Sequence, residues 1–389
     1  MNKYCRHKDD LECHLFYSSR DLPEDWFLVE SERSISKEEY RLNEVSSLPN
    51  IQHRYVLVYQ NDVPVAKAYF QLLSLQKEHL NKSLVKSWQY NLWSTFVAAT
   101  KPAFIIAGHL FRHDEQFFFY SKHISSFTAY KCYKAAIDEV LKDKCASGVL
   151  IKDMPPELVD HFQHHTPEYI LLLNDISMEM DVDPDWQSIH DYEKALKHKY
   201  AQRFRKIRQP WQSLTIKELS YNEVRDKKET LHALYLQVVT HQQVRLGILN
   251  PDFIVNLKGY YKERLKVWAA YENGNIVAFF SGWAKDDAFD MFYIGFDYSR
   301  NADLQSYFNI LFFSVEQAIA QGKNKLILGR TALEAKARLG CKPKYLSTYL
   351  HIPNKVLRTF VNSIQENVKE GEGAWENRHP LKPVAGTEK

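Results

Sequence analysis

Glycine is scarce in this sequence, with 13 residues among 389. Backbone cradles for phosphate need residues that adopt a positive φ without strain, and glycine does so most readily. The chain therefore has few places for a glycine-rich phosphate loop, and it contains no P-loop pattern. The G-x-S-x-G and H-E-x-x-H patterns of serine hydrolases and zinc peptidases are absent as well.

Cysteine is also sparse, with five residues in the chain. They are scattered, and no two of them form C-x-x-C. This predicts free thiols in a reducing cytoplasm. No run of about 18 uncharged apolar residues is present, so no transmembrane helix is expected. The charged residues 1–12 argue against a signal peptide. A net charge of +3 is too small to indicate a nucleic-acid-binding protein, and DNA is not expected as a partner.

Strong local signals lie between residues 265 and 350. Asn273-Gly274 between two apolar runs predicts a hairpin with a type I′ turn. A long amphipathic helix follows, and its apolar face is formed by Leu304, Phe308, Leu311, Phe312, Val315 and Ile319. We expect it to end at Gly322, before a buried strand at residues 325–328. A helix that joins two strands in this way normally makes a right-handed parallel crossover, so the sheet should open there into a cleft.

The segment after that strand predicts a second helix. Thr331 and Glu334 have the T-x-x-E spacing of a capping box, so the helix should begin at Ala332 and end near Leu339. Arg330 then lies at the carboxyl end of a buried strand, which is where ligands of open α/β sheets bind. The alternative is that Arg330 only caps a helix or pairs with a carboxylate.

The N-terminal half repeats this order of elements without similar residues. It has a hairpin at Asn61-Asp62, a helix near residues 125–141, a strand at residues 148–151, and a final hairpin from residues 168–173 and 176–182. This order predicts an α/β chain with mixed sheets and an internal duplication. We predict an N-terminal domain, a basic linker helix, a C-terminal domain with the active cleft, and a helical or flexible tail, with boundaries at residues 1–183, 184–211, 212–352 and 353–389.

The predicted linker helix is rich in positive charge, with seven Lys and Arg among residues 194–208. One flank of its apolar stripe carries Lys194, Lys197, Arg205 and Arg208, and the other carries Lys199, Arg203 and Lys206. One interpretation is a solvated helix whose long side chains cover apolar surface. The other is a cationic wall for a phosphate-bearing ligand, with Arg205 and Arg208 as substrate-binding residues.

These features together resemble the Fem-type branch of the GNAT acyltransferase superfamily. Residues 199–208 resemble the K-Y-R-x-R-x-R-K linker pattern of that branch, and residues 329–343 resemble the strand-to-helix segment of related bacterial proteins. The resemblance covers about residues 50–352. It implies two tandem GNAT-like domains and transfer of an acyl or aminoacyl group to an amine. It further implies acyl-CoA or aminoacyl-tRNA as co-substrate, no tightly bound cofactor, no metal, and tRNA as a partner if it is the donor.

The resemblance also implies an acceptor amine on a small molecule, a peptidoglycan precursor or a lipid.

One segment departs from the superfamily. Residues 297–305 occupy the place of the [QR]-x-x-G-x-[GA] pattern and contain no glycine. Asp303 in the first helical turn would oppose a bound phosphate, and Arg300 and Asn301 are the residues predicted to hold the donor there. The alternative is a non-catalytic GNAT-fold binding protein that has lost its CoA loop.

Three residues are candidates for catalysis. Asp290 is a carboxylate in an apolar strand, so it is predicted to be a base or an amine ligand. Tyr293 lies three positions further, which predicts the opposite face of the strand, and could donate to an oxyanion. His241 follows the first helix of the C-terminal domain and titrates in the useful range. Structural roles for the strand aspartate and tyrosine stay open.

Lys336 and Lys342 are predicted to bind a phosphate of the donor or acceptor. Residues 75–96 combine Leu84, Trp88, Leu92, Trp93 and Phe96 with nearby lysines. This pattern predicts either an interfacial membrane helix or a domain contact. With the membrane interpretation, the protein is cytoplasmic and peripheral to the inner face of the membrane.

Overall fold

A computed structural model describes residues 3–6, 10–29, 35–83, 85–112, 116–143, 146–172, 175–241, 247–359, 361–362 and 375–383. The strands are β1 Lys3–Arg6, β2 Leu11–Phe16, β3 Ile51–Gln60, β4 Val63–Ser74, β5 Ala103–Ala107, β6 Phe118–Tyr120, β7 Gly148–Ile151, β8 Ile170–Leu171, β9 Ile176–Asp181, β10 Thr215–Glu218, β11 Leu265–Glu272, β12 Asn275–Ala284, β13 Ala288–Phe296, β14 Lys325–Gly329, β15 Lys342–Tyr345 and β16 Tyr349–His351. The helices are α1 Asp25–Leu28, α2 Lys37–Val45, α3 Ser87–Thr100, α4 Ser126–Asp143, α5 Pro156–His165, α6 Ile189–Ala195, α7 His198–Arg208, α8 Tyr221–Asp226, α9 Lys228–Val239, α10 Asp252–Tyr261, α11 Asn301–Leu304, α12 Ser306–Ala320 and α13 Leu333–Ala337.

The chain divides into two compact units, each with its own mixed sheet. Unit 1 comprises Met1–Asp175, Gln243–Leu249 and Leu346–Gln365, and unit 2 comprises Ile176–Gln242, Asn250–Tyr345 and Glu366–Lys389. The strand order is β1-β2-β3-β4-β5-β7-β16-β8 in unit 1, where β6 also pairs with β4, and β10-β11-β12-β13-β14-β9-β15 in unit 2. The predicted class, α/β with two tandem mixed sheets, is confirmed.

Each sheet takes one strand from the other half of the sequence. In unit 2, β9 pairs antiparallel with both β14 and β15. In unit 1, β16 pairs antiparallel with both β7 and β8. The predicted final hairpin is therefore wrong, because β8 and β9 lie in different sheets; residues 173–174 at its turn lie outside the described residues. The predicted boundary at residue 183 accordingly lies beyond β9, which belongs to unit 2.

Two hairpins form where turn residues predicted them. Asn273 and Gly274 have φ angles of 50° and 82°, and Asn61 and Asp62 have 51° and 63°. Positive φ at both central residues is what a type I′ turn requires, and its twist matches that of the flanking strands. The pairs β11–β12 and β3–β4 follow in antiparallel register.

Helix α12 carries the core of unit 2. Its buried residues include Ile310, Leu311, Phe312, Val315 and Ile319, and they pack with strand residues of the same unit. The long predicted helix is thus confirmed from Ser306 onward, while Leu304 ends the separate short helix α11. Gln305 lies between them with a φ of 50°, which breaks the run of helical hydrogen bonds.

The basic linker is two short helices rather than one. Helix α6 ends at Ala195 and α7 begins at His198. Residues 375–383 lie against this junction, where the Lys197 N–H donates to the Pro380 carbonyl and the Lys382 N–H donates to the Ala195 carbonyl, both at 2.8 Å. Part of the predicted flexible tail is therefore attached to unit 2.

Candidate active site

Strands β13 and β14 pair in parallel only at their amino-terminal ends. The paired positions are Ala288 with Lys325, Phe289 with Leu326, and Asp290 with Ile327. Beyond Asp290, no strand among the described residues pairs with this edge of β13. The two parallel strands therefore part beyond Asp290, as the predicted opening of the sheet at this junction requires.

A β-bulge lies immediately beyond the last paired position. Phe280 opposes Ile294 and Gly282 opposes Met291, so two residues of β13 face Ser281 alone. The Ser281 hydroxyl donates to the Tyr293 carbonyl at 2.8 Å and accepts from the Tyr293 N–H at 3.0 Å. The Ser281 hydroxyl thus supplies the hydrogen bonds that the Tyr293 backbone does not make with a backbone partner in the bulge.

The bulge changes the direction of the Tyr293 side chain. The Phe292 and Tyr293 rings both contact Phe253, with centroid distances of 6.4 and 5.9 Å. Trp283 is directly opposite Asp290 and also contacts the Phe292 ring at 5.3 Å. Directly opposed residues share a face, so Asp290, Phe292 and Tyr293 lie on one face. The prediction that Asp290 and Tyr293 point to opposite faces is wrong, because the alternation rule assumes no extra residue.

Asp290 is buried at the bottom of this opening. Its Oδ2 accepts a hydrogen bond from Lys285 Nζ at 2.8 Å, and the lysine is partly exposed. A buried carboxylate requires such a partner, because the apolar surroundings otherwise disfavour its charge. The Asp290 carboxylate and its Lys285 counter-ion thus lie at the point where the two strands separate.

His241 does not join Asp290. Its Nδ1 lies 2.7 Å from the Gln237 carbonyl, and its ring stacks on Tyr298 with a centroid distance of 3.6 Å. Tyr298 follows the end of β13, and the six steps from Asp290 to Phe296 span about 20 Å at the rise of a β-strand. A proton cannot pass directly between two groups so far apart, so the three predicted catalytic residues do not form one constellation.

The predicted phosphate loop uses its polar side chains internally. The Arg300 guanidinium donates to both carboxylate oxygens of Glu272, at 2.8 and 3.1 Å, and this pairing raises the pKa of Arg300. The Asn301 Oδ1 accepts from the Tyr307 N–H at 3.1 Å, at the first turn of α12. Both predicted donor-binding residues therefore have protein partners. These contacts stabilise the junction between α11 and α12, which contains no glycine.

The strand-to-helix turn after β14 differs from the prediction. Gly329, Thr331 and Ala332 have φ angles of 70°, 66° and 48°. Helix α13 begins at Leu333 without a side-chain cap, so the predicted capping box is wrong. The Glu334 carboxylate instead accepts from Arg338 and Arg378. Positive φ at a β-branched threonine is uncommon and marks a strained turn at the edge of the opening.

The remaining predicted cation sites at this end are buried or distant. Arg330 is half-buried in the strained turn, and Lys336 is buried with its Nζ donating to the carbonyls of Gly329 and Arg330. The buried Lys336 ammonium thus satisfies two carbonyl groups at the carboxyl end of β14. Lys342 is exposed on strand β15, where its Nζ lies 3.9 Å from Asp181 Oδ2. These contacts do not bring Lys342 together with Asp290.

The two flanks of helix α7 differ in their partners. On one flank, Arg205 pairs with Glu193 at 2.7 Å and Arg208 pairs with Glu316 at 2.8 Å. On the other flank, Lys199, Arg203 and Lys206 are exposed, and none of the three has a carboxylate partner among the described residues. The cationic surface of α7 is therefore the flank that does not include the two predicted arginines.

Arg203, on that flank, lies beside a second cation, Arg338. Its guanidinium lies 5.0 Å above the Phe308 ring of α12. Partial burial, and next the Arg338 guanidinium, lower the pKa of Arg203. A small cavity of about 10 Å³ lies among Tyr200, Arg203, Phe308 and Arg338. Arg338 already pairs with Glu334 at 2.9 Å, so the Glu334 carboxylate supplies a counter-charge beside the two guanidinium groups.

No protein-family model matches this sequence. No curated protein matches it either. Solved structures do match. FemX is 9% identical with a TM-score of 0.47, covering 85% of this chain and 100% of FemX. A GCN5-related N-acetyltransferase from Kribbella flavida is 9% identical with a TM-score of 0.45, covering 88% of this chain and 71% of that one.

L-PGS from Bacillus licheniformis is 12% identical with a TM-score of 0.44, covering 80% of this chain and 88% of that one. The names of FemX and the GCN5-related N-acetyltransferase are of the kind that the sequence resemblance gave. This likeness concerns the fold alone.

Two features of this site had no visible signal in the sequence. The bulge depends on Ser281, which a pattern of apolar and polar residues does not distinguish from any other strand serine. The unpaired flank of α7 depends on where Glu193 and Glu316 lie after folding. The strand opening, in contrast, followed from the helix that joins two strands.

Proposed function

We propose that this protein is an N-acyltransferase. It moves an acyl or aminoacyl group from an activated thioester or ester, acyl-CoA or aminoacyl-tRNA, to an amine on a cell-envelope precursor or lipid. The observation that supports this most directly is the separation of β13 from β14 beyond the buried Asp290 carboxylate. An extended donor that enters between two separated strands can form main-chain hydrogen bonds, which leaves its carbonyl near fixed N–H donors.

The chemistry requires a neutral amine, a group that collects its proton, and a donor for the tetrahedral oxyanion. Asp290, with Lys285 as its counter-ion, takes the proton of the attacking amine in this proposal. Tyr293 lies on the same face because of the bulge, and its hydroxyl donates to the oxyanion or the leaving group. His241 lies too far away for a direct role and is not assigned one.

The phosphates of the donor or acceptor are assigned to Lys199, Arg203 and Lys206 rather than to Arg205 and Arg208. Cations that already pair with carboxylates gain less from an anion than cations without such partners. Arg338 is not included, because it already pairs with Glu334. Because acyl-CoA and aminoacyl-tRNA are cytoplasmic, the proposed place of action is the cytoplasm, at the inner face of the membrane for a lipid-linked acceptor.

A thermal-shift screen should identify the donor class. Acyl-CoAs of several chain lengths, deacylated tRNA and UDP-sugars are the probes. A ligand that binds only the folded state at a hundredfold excess over Kd stabilises it by about 2.7 kcal/mol, which is readily measured. The hits should then be tested for transfer to amines by mass spectrometry. If no probe shifts the melting temperature, the acyltransferase proposal loses its support.

Asp290→Asn should lower kcat by about 100-fold or more, because general-base catalysis typically contributes that much. KM should change little, since asparagine keeps the shape and one acceptor. The matched control is Asp287→Asn in the exposed turn before β13. Wild-type turnover in the Asp290 variant would show that the carboxylate has a structural role only.

Reversing the charge of Lys199, Arg203 and Lys206 together should weaken binding of a polyphosphate or tRNA ligand. For tRNA, each lost phosphate contact should reduce the slope of log Kd against log salt by roughly 0.7–0.9. Arg205→Glu and Lys342→Glu serve as controls on the paired flank and on an unrelated strand. Equal losses in the triple variant and in the controls would contradict the assignment to this flank.

A non-catalytic binding protein is the second candidate. It is favoured by the internal pairing of Arg300 with Glu272 and of Asn301 with the Tyr307 N–H. This candidate predicts that a ligand stabilises the protein while no donor and acceptor pair gives product. Turnover with any pair would exclude it.

A further inference from the structure

Helix α3 of unit 1 presents an uncharged outer face. Its 14 residues include no Asp, Glu, Lys or Arg. Trp88 and Leu92 lie one turn apart on this face and are 56% and 49% exposed. Among the large exposed apolar residues of the described chain, these two share one helix face at i, i+4 spacing. Such pairs are unusual on surfaces that contact only water.

The opposite face of α3 belongs to the core. Trp93 is buried, and Phe96 and Val97 pack against a cluster that includes Leu73 and Leu80. The Trp93 indole donates to the Gln76 carbonyl at 3.2 Å, which fixes the helix in place. Only Trp88 and Leu92 of the predicted stripe therefore face outward, and Leu84 lies outside the described residues. The helix is anchored, so the outer face is rigid.

The ends of this helix concentrate positive charge. Residues 75–101 contain Lys77, Lys82, Lys86 and Lys101 but only one carboxylate, Glu78. This excess equals the +3 net charge of the whole chain. Lys86 and Lys101 are the N-cap and C-cap residues of α3. Neither has an ion-pair partner among the described residues, so their charges can meet an external anion.

We propose that the outer face of α3 docks on an anionic phospholipid bilayer. The helix lies in the plane of the headgroups, over a length of about 21 Å at the rise of an α-helix. Trp88 and Leu92 enter the boundary between headgroups and acyl chains, where tryptophan is preferred. The four lysines lie at the level of the lipid phosphates. The charge complementarity selects a lipid surface, because its phosphates lie on both sides of an inserted apolar strip.

This binding goes beyond acyl transfer, since it requires neither donor nor acceptor. It would restrict the enzyme to the surface where a lipid-linked amine is present. The bilayer contact would then raise the effective concentration of such an acceptor without any added contact at Asp290.

The test is co-sedimentation of the full chain with phosphatidylcholine vesicles that contain or lack phosphatidylglycerol. We expect binding to the anionic vesicles only, and loss of it at high salt. Trp88→Ala with Leu92→Ala should reduce the partition coefficient about tenfold or more. Lys82→Gln with Lys86→Gln should reduce it by roughly 25-fold, at about fivefold per lysine. The matched control is Tyr345→Ala, which removes an exposed aromatic ring from β15 of unit 2.

All four substituted residues are exposed, so circular dichroism melts should match those of the wild type. Failure of the wild type to sediment with anionic vesicles would overturn the proposal. So would unchanged binding of the Trp88 and Leu92 variant, or equal binding to neutral vesicles. Sedimentation velocity gives a further check, because a wild-type dimer that this variant converts to monomer would assign the face to a second copy instead.

Discussion

Lys67→Met should stabilise the protein by about 2 kcal/mol at pH 7. Lys67 is wholly buried in unit 1, where its Nζ donates to the Trp26 carbonyl at 3.0 Å and lies 5.5 Å from the Phe119 ring centroid. No carboxylate among the described residues pairs with it. Burial lowers the pKa of Lys67 to about 8 from its usual 10.5. Burial of the charged Lys67 ammonium therefore lowers the free energy of unfolding.

The size and sign follow from the two pKa values. A difference of this size corresponds to about 3 kcal/mol of destabilisation at pH values below the folded pKa. The penalty decreases as pH rises from 8 to 10.5, because the folded state loses its proton before the unfolded state does. Methionine has a similar length and no charge, but it leaves the Trp26 carbonyl without its donor, which costs about 1 kcal/mol. The net gain at neutral pH is the difference.

The measurement is urea unfolding of wild type and variant at a series of pH values from 7 to 10.5. The gain of the variant should shrink through this range and reverse near pH 10, where the remaining penalty falls below the roughly 1 kcal/mol lost with the hydrogen bond to Trp26. Lys77→Met removes an exposed lysine and should show neither the gain nor the pH dependence. A variant less stable than wild type at pH 7 would mean that the Lys67 charge is compensated in the folded protein.

Gly295→Ala should destabilise unit 2 by about 3 kcal/mol or more. A Cβ at this position would lie 2.4 Å from the Tyr235 nitrogen and 2.6 Å from the Leu234 carbonyl carbon. These are backbone atoms of α9, so the clash cannot be relieved by rotating a side chain. The helix must move away from β13, and overpacking of a rigid core typically costs 1–3 kcal/mol or more.

Urea unfolding and the yield of soluble protein would measure this effect. Gly274→Asn is the matched control, since asparagine tolerates the positive φ of a type I′ turn and nothing lies within 4 Å of a Cβ there. We expect it to change stability by less than about 1 kcal/mol. Gly282→Ala is a second comparison, because the three atoms nearest to its Cβ belong to the Phe289 side chain rather than to backbone. A Gly295 variant as stable as the Gly274 variant would show that α9 is loosely packed on β13.

The Gly295→Ala substitution should also affect the candidate active site. Helix α9 ends next to His241, and β13 carries Asp290 and Tyr293 on the face that the bulge creates. If α9 moves, the stack of His241 on Tyr298 should be disturbed as well. If the free energy of ligand binding falls by more than the free energy of unfolding does, the ligand lies on this face of β13.

The hairpins of both units, helix α12 and the opening between β13 and β14 were predictable from local sequence. Each depends on a short-range rule: positive φ at Asn273-Gly274, an apolar face of period 3.6, and the handedness of a strand–helix–strand unit. The exchange of β9 and β16 was not predictable in this way. An apolar strand has the same pattern whichever sheet it joins, and its partner is decided by long-range pairing.

The sequence by itself determined the class of this protein: two mixed sheets, each with a crossover helix, and an opening in unit 2 at the parallel junction. It also determined that positive charge concentrates on α7 and beside α3. Only the tertiary structure decided which charges remain available. Glu193, Glu316 and Glu272 pair with Arg205, Arg208 and Arg300 across 12, 108 and 28 positions, and no local pattern reports such distances. It also decided that Ser281 stabilises a bulge, which brings Tyr293 onto the same face as Asp290. One extra residue in a strand shifts the alternation of side chains between the two faces.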